Sequence, residues 1–514
     1  MKKGMIVFIL LISQMSCKDF LDTKPSDFLS PATYYATEEQ LNVGLNGVYD
    51  ILADLSTYGN LMQGYMGLDA DEGWFRRTGG VQVYNVVPSD INITNLWRVF
   101  YKGVSRANIL LANIQKPEMD ETKRANIKGE ALFLRAYFYF VLVSNFGDVP
   151  MVLEPVTTPD GGNVARTPAK EVYAQIVKDM TEAETLVRPI TELGFGGRVN
   201  KSAVQGMLAR VHLYMAGWPH NDPAGYTEAR KWAKKVIDAG IHDLNPSYQQ
   251  VFINYAQDKY DIQESILEVE FWGNSLPPYQ QAGRVGTNFG VLYGTTSVTG
   301  VSYGWVYSVA WLYDSYEAGD LRRDWCIAPY TNSGANEIPR PATVRFNRYA
   351  GKWYRKYELA SSDITSPNTP QNFALLRYSD VLLMFAEADN QVNGPTAEGF
   401  EALNKVRRRG LGLPVNTPDP DKDISGLTKE AFQLFIEAER SRELCYEGLH
   451  KRDLVRWNKF LARMEEGAAA FRVEMPTSPL VEYFTNAKAR DVLWPIPERE
   501  MGINKNLQQN PGWE

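Results

Sequence analysis

Cysteine and histidine are scarce in this sequence, and no apolar run approaches the roughly 20 residues that a membrane-spanning helix needs. The 514 residues include 3 cysteines and 4 histidines. No Cys-x-x-Cys pair occurs and the histidines lack metal-ligand spacing, so neither a metal site nor a cofactor is predicted. Positive charge is not in excess, since 54 Lys and Arg stand against 61 Asp and Glu, for a formal net charge of −7. Binding to a phosphate backbone needs a basic face, so the composition argues against a nucleic-acid partner.

The start of the chain is typical of an export signal followed by a lipid attachment site. Two lysines precede an apolar run from Met5 to Ile12, which is too short to span a bilayer but sufficient for the core of a signal peptide. Small Ser16 then precedes Cys17, an order similar to the lipobox of bacterial lipoproteins, in which the cysteine becomes the lipidated first residue. We predict a signal peptide over residues 1–16 and a lipid anchor at Cys17. Secretion with cleavage near Ser16 and no lipid is the alternative.

Two long parts of the chain have the apolar periodicity of paired α-helices. Apolar residues recur every three or four positions, as in Leu41, Leu45 and Val48. Small residues such as Gly206 and Ala209 fall where paired helices must approach closely, as in tetratricopeptide-like helical hairpins. The sequence therefore predicts a mainly α fold with a helical-hairpin scaffold over about 38–261 and 374–514. The predicted helices cover about 38–54, 96–114, 120–142, 168–187, 201–217, 226–240, 378–392, 396–411 and 428–467.

The segment between these two parts has a different composition. Residues 262–373 are rich in Gly, Tyr, Trp, Thr and Pro, with short strand-like runs such as Ile266–Trp272. Long loops on a rigid frame commonly carry binding residues. We predict that 262–373 is a loop-rich, partly β insertion that binds ligand, within one unit that spans 17–514.

Two features raise the alternative of a hydrolase. The run Gly300–Gly304 satisfies G-x-S-x-G, but a nucleophile elbow needs a strand before it, a helix after it and a later histidine. Only His450 follows, so we interpret the motif as a chance match. Glycosidases use two carboxylates, for which Glu268 with Glu270, or the Asp69–Glu72 group, are candidates. On a strand, Glu268 and Glu270 would share one face, which we predict to be solvated.

Several short motifs, taken in order along the chain, resemble the SusD/RagB family of outer-membrane, nutrient-binding lipoproteins. The matching segments are CKDFLD (17–22), RAYF (135–138), NFGDVP (145–150), GRVN (197–200), LRYSDVLL (376–383), ERSREL (439–444), DLVRW (453–457), LWPIP (493–497) and NPG (510–512).

The resemblance implies a tetratricopeptide-like scaffold with more variable ligand-binding loops. It also implies an oligosaccharide cargo, a partnership with a SusC-like TonB-dependent transporter, and no catalysis. The protein would be held in the lipid of the outer membrane by its anchor, facing the cell exterior. Capture of a peptide or another nutrient by the same fold is an alternative.

Charged residues in the matching segments have a structural interpretation of their own. Spacings of three or four residues allow pairing along a helix, for example Arg440 with Glu443, or Arg452 and Arg456 with the Asp453 between them. We predict that this group holds helices together and does not bind ligand. It comprises Arg377, Glu387, Arg440, Glu443, Arg452, Asp453 and Arg456.

Recognition of a sugar needs an aromatic face for the C–H side of the ring and planar polar groups for its hydroxyls. Two loop-like segments supply both kinds of residue, one around Trp74 and one around Trp305. A core position for Trp305 and Tyr307 is the alternative. The predicted ligand-binding residues are Asp71, Trp74, Arg76, Arg77, Tyr293, Tyr303 and Trp305.

Two cysteines remain if Cys17 carries lipid. Cys326 and Cys445 are far apart in the sequence, one after Trp325 and one inside a helical pattern. We predict two unreactive thiols, although a disulfide between them is not excluded by the sequence.

Overall fold

A computed structural model of the chain describes residues 34–76, 80–271, 281–293, 299–334, 336–359 and 365–514. The predicted signal peptide and Cys17 lie outside these ranges. The described part is mainly helical, and its α-helices are α1 Glu38–Ala53, α2 Ile91–Asn113, α3 Glu121–Phe146, α4 Ala169–Leu186, α5 Ile190–Leu193, α6 Lys201–Ala216, α7 Ala224–Asp238, α8 Tyr248–Ala256, α9 Val285–Asn288, α10 Ala310–Ser315, α11 Leu321–Cys326, α12 Tyr378–Asn393, α13 Ala397–Gly410, α14 Lys429–Leu444, α15 His450–Arg456, α16 Phe460–Glu474, α17 Glu482–Thr485 and α18 Glu498–Ile503.

Helix α3 lies at the centre of the first half of the scaffold. The Asp120 side chain caps it by accepting a hydrogen bond from the Lys123 amide, and the chain leaves it at Gly147, whose φ is +72°. From Gly129 to Val143 every residue is buried, because α2 packs on one side of α3 and α4 on another. A helix that is apolar around most of its circumference is stable only when it is covered on all sides.

The later helices form a second group of hairpin-like pairs. Helix α6 packs against α7, α7 against α12, and α12 against both α13 and α14. Small residues permit close approaches: Ala229 and Ala233 of α7 are fully buried, whereas a Cβ atom at Gly206 would lie 2.4 Å from Leu376 Cδ2 of β6 and not against the predicted paired helix. None of the described helices is both long and apolar enough to cross a membrane.

The strands are short and form three antiparallel pairs. Pairing joins β1 Gly73–Phe75 with β3 Val306–Ser308, β2 Ser265–Val269 with β6 Phe373–Arg377, and β4 Tyr330–Ser333 with β5 Asn336–Pro339. The first two pairs connect residues that are 100 or more positions apart in the sequence. They fasten the 262–373 segment to its flanking parts.

The single long helix predicted over 428–467 is wrong. The structure has three helices there, α14, α15 and α16, with breaks after Leu444 and after Arg456. Left-handed backbone causes both breaks, since φ is +63° at Tyr446, +74° at Gly448 and +57° at Asn458. The first break places the Glu447 carboxylate against Arg377 and Lys352.

The charged residues of the family motifs are buried, and their contacts join different helices. The predicted pairing of Arg440 with Glu443 is wrong, because Arg440 donates to Asp380 and Asp453. Arg456 pairs with Asp453 as predicted and also with Glu387. Arg452 does not pair with Asp453; it donates to the Val492 carbonyl and to Asn145.

Glu443 is the centre of the largest buried charge cluster. Its carboxylate accepts hydrogen bonds from Arg377, Arg409 and Arg322, with N···O distances of 3.0, 2.6 and 3.1 Å. Glu264, just before β2, also contacts Arg377 and Arg409. The cluster therefore links the scaffold helices to the 262–373 segment.

The predicted solvent exposure is wrong for Glu268 of β2 and correct for Glu270, which follows the strand. Glu270 is exposed, but Glu268 is buried and accepts hydrogen bonds from the Ser265 hydroxyl and the Asn372 amide. Every residue of β2 is buried, and the chain around Gly196 lies along its edge, where the Gly196 carbonyl accepts from the Glu268 amide. Burial raises the pKa of Glu268 to about 7.

We expect the Glu268→Gln variant to be more stable than the wild type at pH 8 and equally stable at pH 4. A carboxyl whose folded-state pKa is raised stabilises the fold below its unfolded pKa, and this stability is lost as pH rises toward 7. The expected gain at pH 8 is on the order of 3 kcal/mol. Urea unfolding at both pH values measures it. The variant Glu171→Gln, on an exposed turn of α4, controls for loss of one negative charge, and a gain at pH 4 as large as at pH 8 would rule out this cause.

Both internal cysteines are free thiols and fully buried, and their predicted lack of reactivity stays a prediction. The Cys326 Sγ atom lies 3.3 Å from the Tyr248 hydroxyl, and the Cys445 Sγ atom lies 3.5 Å from the Tyr316 hydroxyl. Within the described ranges, no group of three or more His, Cys, Asp or Glu side chains is placed to hold a metal ion.

Candidate functional site

The pairing of β1 with β3 brings together the two segments that were predicted to bind ligand. Trp74 lies opposite Tyr307 in the register, and Phe75 lies opposite Val306. One residue further, the Arg76 amide donates to the Trp305 carbonyl at 2.7 Å. The surroundings of Trp74 and of Trp305 are thus parts of one small sheet and its edge.

Trp74 lies beneath this surface. Its ring stacks on Tyr307 with centroids 4.5 Å apart and on Phe346 at 6.4 Å, and only 4% of the residue is exposed. Tyr307 also packs against Tyr349, with centroids 4.9 Å apart. Trp74 therefore supports the surface from below and presents no open ring face to solvent.

Tyr303, Trp305 and Arg76 form the accessible part, which we call the aromatic platform. The rings of Tyr303 and Trp305 stack with centroids 4.7 Å apart and an interplanar angle of 20°, and both residues are partly exposed. Arg76 is exposed, and its guanidinium lies near enough to Tyr307 to oppose the rise in the pKa of that hydroxyl that burial causes. Phe75 meets the edge of Trp305 from the core side. The platform thus combines adjacent ring faces with a planar polar group.

Gly304 is required between the two platform rings. Its φ is +51°, and a Cβ atom there would lie 2.7 Å from the Tyr349 ring and 2.8 Å from the Leu292 amide. A side chain at this position would be strained and would collide with its neighbours. This explains the last glycine of the G-x-S-x-G run without any catalytic role.

The serine of that run is buried and engaged. Ser302 is 2% exposed, and its hydroxyl donates to the Phe289 carbonyl at 2.9 Å. Tyr293 pairs with Ser302 through two backbone hydrogen bonds and is also buried. Tyr293 therefore lies beside the platform, below its surface.

Asp71 points away from the platform, into a different part of the molecule. Its carboxylate accepts from His450 Nε2 at 2.6 Å and from Arg463 at 2.6 and 2.9 Å. Burial alone would raise the pKa of Asp71, but the His450 and Arg463 charges lower it below its usual value. Asp71 raises the pKa of His450 in return. These contacts join the segment before β1 to α15 and α16.

The neighbouring carboxylates have separate partners. Lys451 donates to Asp69, and the Tyr446 amide donates to Glu72 at 3.1 Å. Burial raises the pKa of Glu72 to about 7. The Asp69–Glu72 group is therefore not one solvent-facing cluster of sugar-binding acids.

One predicted residue has no described position, and two residues that support the platform were not predicted. Arg77 lies outside the described residues. Phe346 and Tyr349, which support the rings from below, were not among the predicted residues. The sequence feature that could have indicated Phe346 and Tyr349 is the run Phe346–Tyr357, which contains five aromatic residues.

Two models of protein families match the chain. The family described as starch-binding and associating with the outer membrane matches residues 19–213, and the SusD family matches residues 328–513. The chain belongs to the SusD/RagB family. The family predicted from the sequence motifs is thereby confirmed.

Relatives of this SusD-family chain match it over most of its length. A SusD-like protein, P25, of Formosa agariphila is 26% identical, covering 99% of this chain and 98% of its own. The starch-binding protein SusD of Bacteroides thetaiotaomicron is 22% identical, covering 78% of this chain and 75% of its own.

A solved structure confirms the fold class. The crystal structure of a SusD homologue from Bacteroides thetaiotaomicron is 26% identical and superposes with a TM-score of 0.86, covering 94% of this chain and 98% of that one. The predicted helical scaffold with small, partly β additions is therefore correct.

Proposed function

We propose that this protein is a lipid-anchored surface protein that binds oligosaccharide or polysaccharide on the aromatic platform. It would deliver the glycan to a SusC-like TonB-dependent transporter in the outer membrane. The observation that carries the proposal is the pair of stacked, partly exposed rings of Tyr303 and Trp305 beside the exposed Arg76.

The chemistry of the platform suits a sugar chain. A pyranose has an apolar C–H face, which gains contact area on an indole or phenol ring, and equatorial hydroxyls at its rim. A guanidinium offers two parallel donors that suit neighbouring oxygens. Asp71 is ion-paired and does not hydrogen-bond to sugar hydroxyls in this arrangement. The polar groups for the hydroxyls are therefore those of Arg76 and the residues around it.

The comparisons support the glycan class of ligand. The family that matches the first part of the chain is described as starch-binding and associating with the outer membrane. One curated relative is a starch-binding protein. We carry over the ligand class and the outer-membrane association, and not the identity of the sugar.

A panel of soluble oligosaccharides and polysaccharides, incubated with the chain from Cys17 onward, tests this function. We expect binding without turnover, measured by calorimetric titration and by chromatography of the sugars. Hydrolysis of a glycan would support the alternative of a glycoside hydrolase. Binding of peptides, with no glycan bound, would support the alternative of another nutrient.

The anchor gives a second prediction. Replacing Cys17 with alanine should release the protein from the membrane fraction while leaving it folded, because each buried acyl CH₂ contributes about 0.8 kcal/mol to membrane binding. Fractionation of cells that lack the partner transporter measures the release. Ser16→Ala, which keeps a small residue before the cysteine, should stay membrane-bound. Retention of the Cys17→Ala protein in the membrane would contradict a lipid anchor at this residue.

A further inference from the structure

A cavity of about 610 Å³ lies beside the Asp71–Glu72 segment, which directly precedes β1. It is bounded by α10, α14, α15 and α16, together with the Asp71–Glu72 segment. None of its lining residues belongs to the platform. Its volume is within the range of pockets that hold small organic ligands.

Two tryptophans in fixed orientations line this cavity. The indole N–H of Trp311 donates to the Asp71 carbonyl at 2.7 Å, and that of Trp457 donates to Glu387 at 2.8 Å. Both residues are partly exposed. With their polar atoms engaged elsewhere, the rings offer the cavity apolar surface.

Apart from Glu72, the charged side chains that line the cavity are already paired. Asp71 is held by His450 and Arg463, and Glu437 is held by Lys459 at 2.6 Å. An anionic ligand would have to break one of these pairs, and a cationic ligand would find only Glu72 unpaired, whose pKa is raised to about 7 by burial. The lining therefore favours a neutral ligand that combines a flat apolar face with polar groups.

One buried polar atom at the cavity has no partner within the described part of the chain. Glu72 is 2% exposed, and its Oε2 atom accepts from the Tyr446 amide, but no group donates to Oε1. A buried acceptor without a donor costs free energy that a ligand hydroxyl can recover. The raised pKa of Glu72 reflects the same lack of compensation for burial.

We propose that this cavity is a second carbohydrate site, which binds a single pyranose ring. The apolar face of the ring packs against Trp311 or Trp457, and one hydroxyl donates to Glu72 Oε1. The site goes beyond the proposed function, because it can bind a monosaccharide whether or not the aromatic platform binds a chain.

The test is a titration with glucose, galactose, mannose and N-acetylglucosamine, followed by saturation-transfer NMR and tryptophan fluorescence. We expect at least one of these sugars to bind the wild type with a Kd in the millimolar range. Ala438→Phe, on the α14 side of the cavity, fills it and should weaken binding at least about tenfold. Glu72→Gln, which keeps the shape but changes the acceptor, should weaken binding several-fold. Ala469→Phe, on an exposed turn of α16 outside the cavity, should bind like the wild type.

The outcomes separate this site from the aromatic platform. Loss of monosaccharide binding in Trp305→Ala with retention in Ala438→Phe would assign the sugar to the platform and overturn the second site. Absence of binding by all four sugars to the wild type would also overturn it. If Ala438→Phe does not fold, native affinity in Glu72→Gln overturns it. Monosaccharide binding that the cavity variants weaken, in a protein that binds no glycan chain, would support this site and refute the platform.

Discussion

The Glu443→Ala variant should lose on the order of 3–5 kcal/mol of stability, the cost of removing one partner from a buried ion pair. The Glu443 side chain is completely buried and accepts from three guanidinium groups. Burial alone would raise the pKa of Glu443, but the nearby Arg409, Arg377 and Arg322 charges lower it, so it is ionised in the fold. Removal of this carboxylate leaves an excess of buried positive charge. Urea unfolding followed by circular dichroism measures the loss.

The matched control for this prediction lies on the same helix. Glu430 is exposed in the first turn of α14, and Glu430→Ala should change stability by less than about 1 kcal/mol. Glycan affinity per folded molecule should be unchanged in both variants, because Glu443 contacts only the buried cluster. A Glu443→Ala protein of native stability that fails to bind glycan would show that this cluster belongs to a binding site.

Local patterns were sufficient to predict most of the helices. The stripe that contains Leu41, Leu45 and Val48 became the buried face of α1, and Asp120 does cap the next long helix. Gly206 was a correct sign of close packing, although its nearest neighbour is Leu376 of β6 and not a paired helix. Periodicity reports which face is buried and does not report what covers it.

The wrong predictions have the same cause, which is contact between residues that are far apart in the sequence. Apolar periodicity continues through the 428–467 run, but the backbone turns at Tyr446 and Asn458. Beside these turns, Glu447 contacts Arg377 and Trp457 contacts Glu387, which are both distant in the sequence. Glu268 alternates with apolar residues as an exposed strand residue would. Its burial depends on Asn372, which is more than 100 positions away. Neither contact is visible in a local window of sequence.

The candidate site was predicted in part for the same reason. The sequence picked out the segments around Trp74 and Trp305 because both are loop-like and rich in ring residues, and the β1–β3 pairing brings them together. Which rings are accessible depends on the β1–β3 register, which puts Trp74 under Tyr307 and leaves Trp305 at the edge. The turn at Asp71 sends its carboxylate to His450, 379 positions later.

Trp305→Ala should therefore lower mainly the affinity for glycan, and Trp74→Ala should lower mainly the stability of the fold. Trp305 is partly exposed on the platform, and its removal should weaken glycan binding about thirtyfold, equivalent to about 2 kcal/mol, with a small change in melting temperature. Trp74 is buried between Tyr307 and Phe346, so its truncation leaves a cavity and should cost about 3–5 kcal/mol of stability. Calorimetric titration and thermal melting on the same preparations measure both quantities.

The control for lost aromatic surface is Tyr260→Ala. Tyr260 is 49% exposed and packs on Phe195 of the helical scaffold, away from the platform. Its variant should keep both affinity and stability, whereas Arg76→Ala should weaken binding because it removes the planar donors beside the rings. A large fall in the melting temperature of Trp305→Ala, with native affinity in the folded fraction, would make Trp305 a core residue. Native affinity in both Trp305→Ala and Arg76→Ala would place the glycan elsewhere on the molecule, because these are two of the three residues that form the platform.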